Sequence, residues 1–253
     1  MMPRSPTQFP SIGIGAGSLA NAKGETAFLE TIRTAWTLGV RYFDTSSAYL
    51  GGDSERRLGR ALQDFPRDEL ILSTKLGRYQ NYIGSSLEPG QADNYHFDFS
   101  ADAARKSVEQ SLERLGVDYL DAVYIHDLDP RFAKDAYHDL FQQAVTEAYP
   151  ALQGLKQEKV IGAIGAASMD WRACLKIAEA VDLDVVMPAG EYSLLRTQCS
   201  PLLDFCKRND IAWIAAAPFN SGILATGPDP RSYYCMRPAT PEVLKQTAQL
   251  QAI

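Results

Sequence analysis

Short apolar runs alternate along the whole chain with stretches in which apolar residues return every three or four positions. The runs predict strands at residues 11–19, 42–44, 70–75, 119–126, 160–167, 185–187 and 211–217. The first is a buried strand that leaves through the glycines of SIGIGAGSL. The second is Tyr42-Phe43 ending on Asp44, the third finishes at Lys75, and the fourth ends on His126. Between them, Phe28, Ile32, Ala35 and Trp36 predict a helix over 25–38 that stops at Gly39. Ser54 is placed to cap a helix carrying Leu58, Ala61, Leu62 and Phe65, which Pro66 ends. Ser100 caps another, with Ala104, Val108, Leu112 and Leu115 on one face and Gly116 after it. Residues 136–158 hold one or two helices interrupted by Pro150. Further helices follow at Trp171, Leu175 and Ala178, at 201–209, and at 241–253.

Strands that alternate with helices and read as nearly unbroken apolar runs indicate a parallel sheet covered by helices. The α/β class follows, and 253 residues suit one (β/α)8 TIM-type barrel of about 250 residues. Seven βα units can be counted, and no sequence is left for an eighth. The expectation is therefore a single domain over 1–253 that lacks the eighth βα unit at its C-terminus. Its first and seventh strands would then form open sheet edges capable of self-association. Residues 79–99 form a long aromatic and polar loop directly after Lys75, placed to wall a substrate pocket.

Composition narrows the partners. A net charge of −6 argues against nucleic acid and anionic membranes, yet leaves room for a polyanionic cofactor held by local N–H groups. The four cysteines are scattered without a CxxC pair and read as reduced thiols. No apolar stretch resembles a signal or a span, so a cytoplasmic protein is expected. The GIGAG stretch fails the dinucleotide fingerprint because Ser18 stands where its last glycine is needed. No HExxH-type spacing suggests a metal, and His96 and His138 read as loop and helix-surface residues.

Four groups stand at strand ends or just beyond: Asp44, Tyr49, Lys75 and His126. In a parallel barrel that end carries the chemistry. A lysine ammonium beside a tyrosine oxygen favours the phenolate, an aspartate keeps the ammonium charged and oriented, and a histidine can donate to a substrate oxygen. Such a set can move a proton during interconversion of a carbonyl and an alcohol.

With the flanks FDTSSAY (43–49), GGxSExxLGRAL (51–62), STKLGR (73–78), SLERLGVDYLD (111–121) and IHD (125–127), the chain resembles the aldo-keto reductase family, and within it a branch of sugar and pyridoxal dehydrogenases. The resemblance implies an NAD(P)-dependent oxidoreductase acting on a small sugar or carbonyl substrate, in the manner of an aldose 1-dehydrogenase. It implies Tyr49 as the general acid/base, Lys75 and Asp44 as its tuning pair, and His126 orienting the carbonyl. Hydride would pass to or from C4 of NADP or NAD. The cofactor is expected against Gly15, Ala16, Gly17, Asp44 and Ser168, with a pyrophosphate cradle at Phe219, Asn220, Ser221, Gly222 and Leu224. The family's carboxamide-binding Ser, Asn and Gln correspond here to Ala167, Ser168 and Ala189, and its stacking aromatic to Ala216. A second reading stays open beside the enzyme: a barrel remnant that binds a nucleotide or a partner without chemistry.

Overall fold

The computed structural model describes residues 9–21, 24–80 and 95–253. Seven parallel strands form one curled sheet in sequence order, β1 (Gly13–Gly15), β2 (Tyr42–Asp44), β3 (Ile71–Leu76), β4 (Leu120–His126), β5 (Ile161–Ser168), β6 (Val185–Pro188) and β7 (Ala212–Trp213). Among the described residues β1 and β7 each have one neighbour in this sheet. The main covering helices are α1 (Gly24–Thr37), α2 (Asp53–Leu62), α3 (Ala101–Leu115), α4 (Tyr149–Gln157), α5 (Trp171–Ala180), α6 (Ser200–Arg208) and α7 (Pro241–Gln251). No helix among the described residues is long and apolar enough to cross a membrane.

Successive strand residues point to opposite faces, and here the two faces bury different things. Phe43, Leu72, Val123, Ile125, Ile164, Ala166 and Val186 join the layer packed under the helices. Tyr42, Ile71, Ala122, Tyr124, Ala163, Ala167, Val185 and Met187 form a separate core on the concave side. Further along the concave rows, in steps of two residues, stand Asp44 after Tyr42, Ser73 and then Lys75 after Ile71, and His126 after Tyr124. The period-two pattern that builds the inner core thus delivers the polar residues to its carboxyl end. The register pairs Asp44 with Ser73 and Lys75 with Tyr124. A hydroxyl cluster separates the apolar inner layer from the charges, with Tyr42 Oη 2.9 Å from Ser73 Oγ and 3.2 Å from Tyr124 Oη.

Several local expectations are corrected. Residues 16–19 belong to a short helix (Ala16–Asn21), and β1 is partly exposed rather than buried, with β2 its one flanking strand among the described residues. Ser54 does not cap α2. Gly52, at φ +86°, occupies the cap position, and Ser54 is buried as the second residue of the helix, 2.9 Å from Thr45 Oγ1. Residues 137–157 run as one helical stretch. A π turn at Ala144–Ala148 precedes Pro150, widening the helix where the proline ring would meet the carbonyl four residues back. The seventh strand is only Ala212–Trp213, continued by an isolated bridge between Ala189 and Ala216. The long loop begins and ends as an antiparallel ribbon, Arg78–Gln80 with Tyr95–Phe97, and its centre, 81–94, lies outside the described residues.

Candidate active site

The carboxyl ends of β2, β3 and β4 place Asp44, Lys75 and His126 side by side, and the turn after β2 adds Tyr49. That turn is shaped by three consecutive left-handed residues, Leu50, Gly51 and Gly52, which swing the chain from Tyr49 into α2. It is fastened by the Ser47 hydroxyl donating to the Lys75 carbonyl at 3.0 Å and by the Tyr49 N–H donating to the Ser46 carbonyl at 3.1 Å. Lys75 Nζ donates to Asp44 Oδ2 at 2.5 Å and to the Thr45 carbonyl at 2.7 Å, and stands 5.0 Å from the Tyr49 ring centre. Ser73 donates to the other Asp44 oxygen at 2.6 Å. The His126 ring stands edge-on to Tyr49, with centres 5.8 Å apart. All four residues predicted to act together are therefore together.

Burial and charge set their protonation. Burial alone would lower the Lys75 pKa, but Asp44 and Tyr49 outweigh it and raise the value, so the ammonium persists. Burial lowers the His126 pKa well below 6.5, and the Lys75 and Arg78 cations push the same way, so the imidazole is neutral at neutral pH. Tyr49 corrects the expectation of a lowered pKa. Burial raises it, and the opposing pull of Lys75 does not reverse the direction. At neutral pH the phenol holds its proton.

Two further charged residues line this cluster. Arg78 forms an ion pair with Asp127 and is flanked by the Tyr95 ring at 3.7 Å and the Phe132 ring at 4.6 Å. Asp127 Oδ2 lies 3.5 Å from His126 Nε2. Burial raises the Asp127 pKa despite Arg78. Arg78 and Asp127 stand inside the STKLGR and IHD stretches, so the sequence displayed them. It carried no signal that they meet each other or His126.

The model of the aldo/keto reductase family matches residues 11–252. This chain is an aldo-keto reductase. It is 37% identical over 230 residues to a D-threo-aldose 1-dehydrogenase of a Pseudomonas species, covering 85% of this chain and 68% of that relative. It is 32% identical over 241 residues to an L-galactose dehydrogenase of Arabidopsis thaliana, covering 92% of this chain and 67% of that one. In structure it is similar to an aldo-keto reductase of Bacillus halodurans in its holo form, at a TM-score of 0.70 and 24% identity over 87% of this chain and 65% of that chain. A Bombyx mori aldo-keto reductase in complex with NADP superposes at a TM-score of 0.62 and 20% identity, covering 86% of this chain and 65% of that chain. These two likenesses speak for the TIM-barrel fold alone. Membership of the family makes the chain an NAD(P)-dependent oxidoreductase.

The reductase spreads its expected cofactor residues along the carboxyl-end rim. At Gly15 a side chain would meet nothing within 4 Å, so the end of β1 opens onto free space, and Ala16 beside it is buried. Gly17 has a different duty: a Cβ there would lie 3.0 Å from the Tyr49 ring, so the glycine lets the short helix close on the tyrosine. Ser168 donates its proton to Asp129 at 3.0 Å and accepts the Asp170 N–H at 3.0 Å, which leaves it one lone pair to offer a ligand. Asn220 is buried, donates to the Gly190 carbonyl at 3.1 Å, and keeps Oδ1 without a partner among the described residues. Asn220, Ser221 and Gly222 are consecutive left-handed residues in a tight loop, in which the Leu224 N–H returns to the Phe219 carbonyl at 3.3 Å. Ser221 accepts the Met236 N–H, and Phe219 is 59% exposed. A buried amide oxygen with no donor and an open glycine end fit a nicotinamide dinucleotide. Oδ1 suits a carboxamide N–H or a ribose hydroxyl rather than a phosphate oxygen.

Proposed function

We propose that this aldo-keto reductase oxidises an aldose at its anomeric hydroxyl, giving the lactone, with Tyr49 moving the proton. The observation that carries the reading is the Lys75 ammonium, fixed on Asp44 and Thr45 beside the Tyr49 ring, with the neutral His126 across from it. The two sugar dehydrogenases among its relatives support an aldose as the substrate class.

In the oxidising direction Tyr49 accepts the anomeric proton as its phenolate, and Lys75 stabilises that phenolate by charge. Asp44 holds Lys75 in place and keeps it cationic. His126 offers a neutral N–H to the sugar oxygen. In the reducing direction Tyr49 returns the proton to the carbonyl oxygen. NAD or NADP, when bound, supplies the two-electron redox chemistry. Gly15, Ala16, Asp44, Ser168 and the loop Phe219, Asn220, Ser221, Gly222 and Leu224 are the residues assigned to hold it. Four free thiols suit the reducing cytoplasm, where both nucleotides are found.

The test is an aldose panel supplied with NAD and with NADP, followed by nicotinamide absorbance. The reading expects turnover with at least one aldose and stronger turnover with free sugars than with alkyl alcohols. A folded chain that binds nucleotide but turns over only non-sugar carbonyls would replace the aldose by that class.

A further inference from the structure

Ser46 lies in the turn between β2 and Tyr49 and is fully buried. Its oxygen accepts the Ala48 N–H at 3.1 Å and stands 3.1 Å from His126 Nδ1. The other ring nitrogen, Nε2, is 3.5 Å from Asp127 Oδ2, longer than a normal hydrogen bond. A neutral imidazole carries one proton, and the two possible places for it are not equivalent here.

A proton on Nδ1 would point at Ser46 Oγ, which already takes the Ala48 N–H. The buried Ser46 proton would then lose its acceptor, and the Nε2 lone pair would face the Asp127 carboxylate. A proton on Nε2 satisfies Ser46 and leaves a donor, not a lone pair, facing the carboxylate. Ser46 donates to Nδ1, its oxygen keeps the Ala48 N–H, and Nε2–H faces the carboxylate at a distance that leaves it able to take another acceptor. The geometry points to Ser46 as the positioning residue that holds His126 in its Nε2–H tautomer, so that the ring presents a donor rather than a lone pair. The catalytic consequence rests on the proposed function, because an N–H is what a substrate carbonyl or hydroxyl oxygen needs. The tautomer itself does not.

Long-range proton–nitrogen correlation spectra of isotopically labelled protein read the tautomer directly. The chain has three histidines, so the His126 signals are assigned by their loss in His126→Gln. The expected result is a neutral Nε2–H ring in the wild type and a shift toward Nδ1–H in Ser46→Ala. Ser46→Thr, which keeps the hydroxyl, restores the wild-type pattern. With an oxidisable substrate, Ser46→Ala lowers kcat at least about tenfold and leaves the KM for nucleotide unchanged, and Ser46→Thr recovers turnover. An Nδ1–H ring in the wild type overturns the inference even if Ser46→Ala fails to fold. An unchanged tautomer in folded Ser46→Ala overturns it too. Absence of turnover in every protein would fall on the proposed function, and the spectra would still decide the role of Ser46.

Discussion

Tyr49 and His126 are shifted in opposite directions, and both shifts favour the neutral form at neutral pH. For Tyr49 this sets the pH dependence of each direction. Sugar oxidation needs the phenolate, so its rate should climb with pH up to and beyond the ordinary tyrosine value of 10.0. Carbonyl reduction needs the phenol and should stay level through neutral pH. Lys75→Met removes the charge that pulls the Tyr49 pKa down, so the alkaline rise should move to still higher pH. Initial rates in both directions against pH check this, and an oxidation rate already level at neutral pH would contradict it. For His126 the consequence is for stability. Its folded pKa lies below the unfolded value near 6.5, so the unfolded chain takes up a proton first. The contribution is present above that value and is lost as pH falls, at up to about 1.4 kcal/mol per pH unit. Thermal midpoints should therefore fall less steeply from about pH 7 to pH 5 in His126→Gln than in the wild type. That Asp44, Tyr49, Lys75 and His126 come together was legible in the sequence because their order and flanks are distinctive. Ser46, Arg78 and Asp127 were not assigned, because their roles arise from contacts between β2, β3 and β4 that chain order does not state.

Among the elements, the stretch 51–62 proves to be largely about packing. Gly59, in LGRAL, lets α2 rest on the end of α3, where a Cβ would lie 2.5 Å from the Leu115 carbonyl oxygen. Glu55, fully buried in the same stretch, accepts Thr74 Oγ1 at 2.5 Å and Arg114 Nε at 2.5 Å, and so ties α2 to β3 and α3. Gly59→Ala should thus destabilise the fold by about 1–3 kcal/mol, because the obstacle is backbone that cannot turn aside. Gly17→Ala should behave differently. Its Cβ would press on the Tyr49 ring, so kcat should fall more than stability does. Denaturation curves and kinetics on the two variants separate packing from chemistry, and equal kinetic losses would undo the distinction. Helix positions were well read because their apolar periodicity is strong. Strands β1 and β7 were overestimated, since residues with a neighbour on only one side need fewer ladder bonds than their apolar runs suggest.

At the scale of the whole molecule, the curled sheet directs two rows of side chains to different ends of the task. The convex row anchors the helices, while the concave row runs from an apolar floor through hydroxyls to the ion pair. Phe9 packs edge-on against Tyr42 at the floor, 5.2 Å between ring centres. The rim above collects Gly15, Ser168 and Asn220 from the ends of β1 and β5 and the loop after β7. Nucleotide held there should stabilise the fold by about 2.7 kcal/mol at one hundred times its Kd, raising Tm by roughly 5–10 °C. Asn220→Ala should shrink that shift by removing the unpartnered acceptor. No shift with either nucleotide would remove the cofactor from this rim.

In the proposed reaction Tyr49, set by Lys75, moves the proton. The direct measurement is single-turnover oxidation of an active aldose by wild type and Tyr49→Phe, each saturated with nucleotide whose binding is checked by tryptophan fluorescence. Tyr49→Phe should bind nucleotide normally and lose about 10²–10⁴-fold in rate. A Tyr49→Phe protein that binds nucleotide and reacts at the wild-type rate would contradict it.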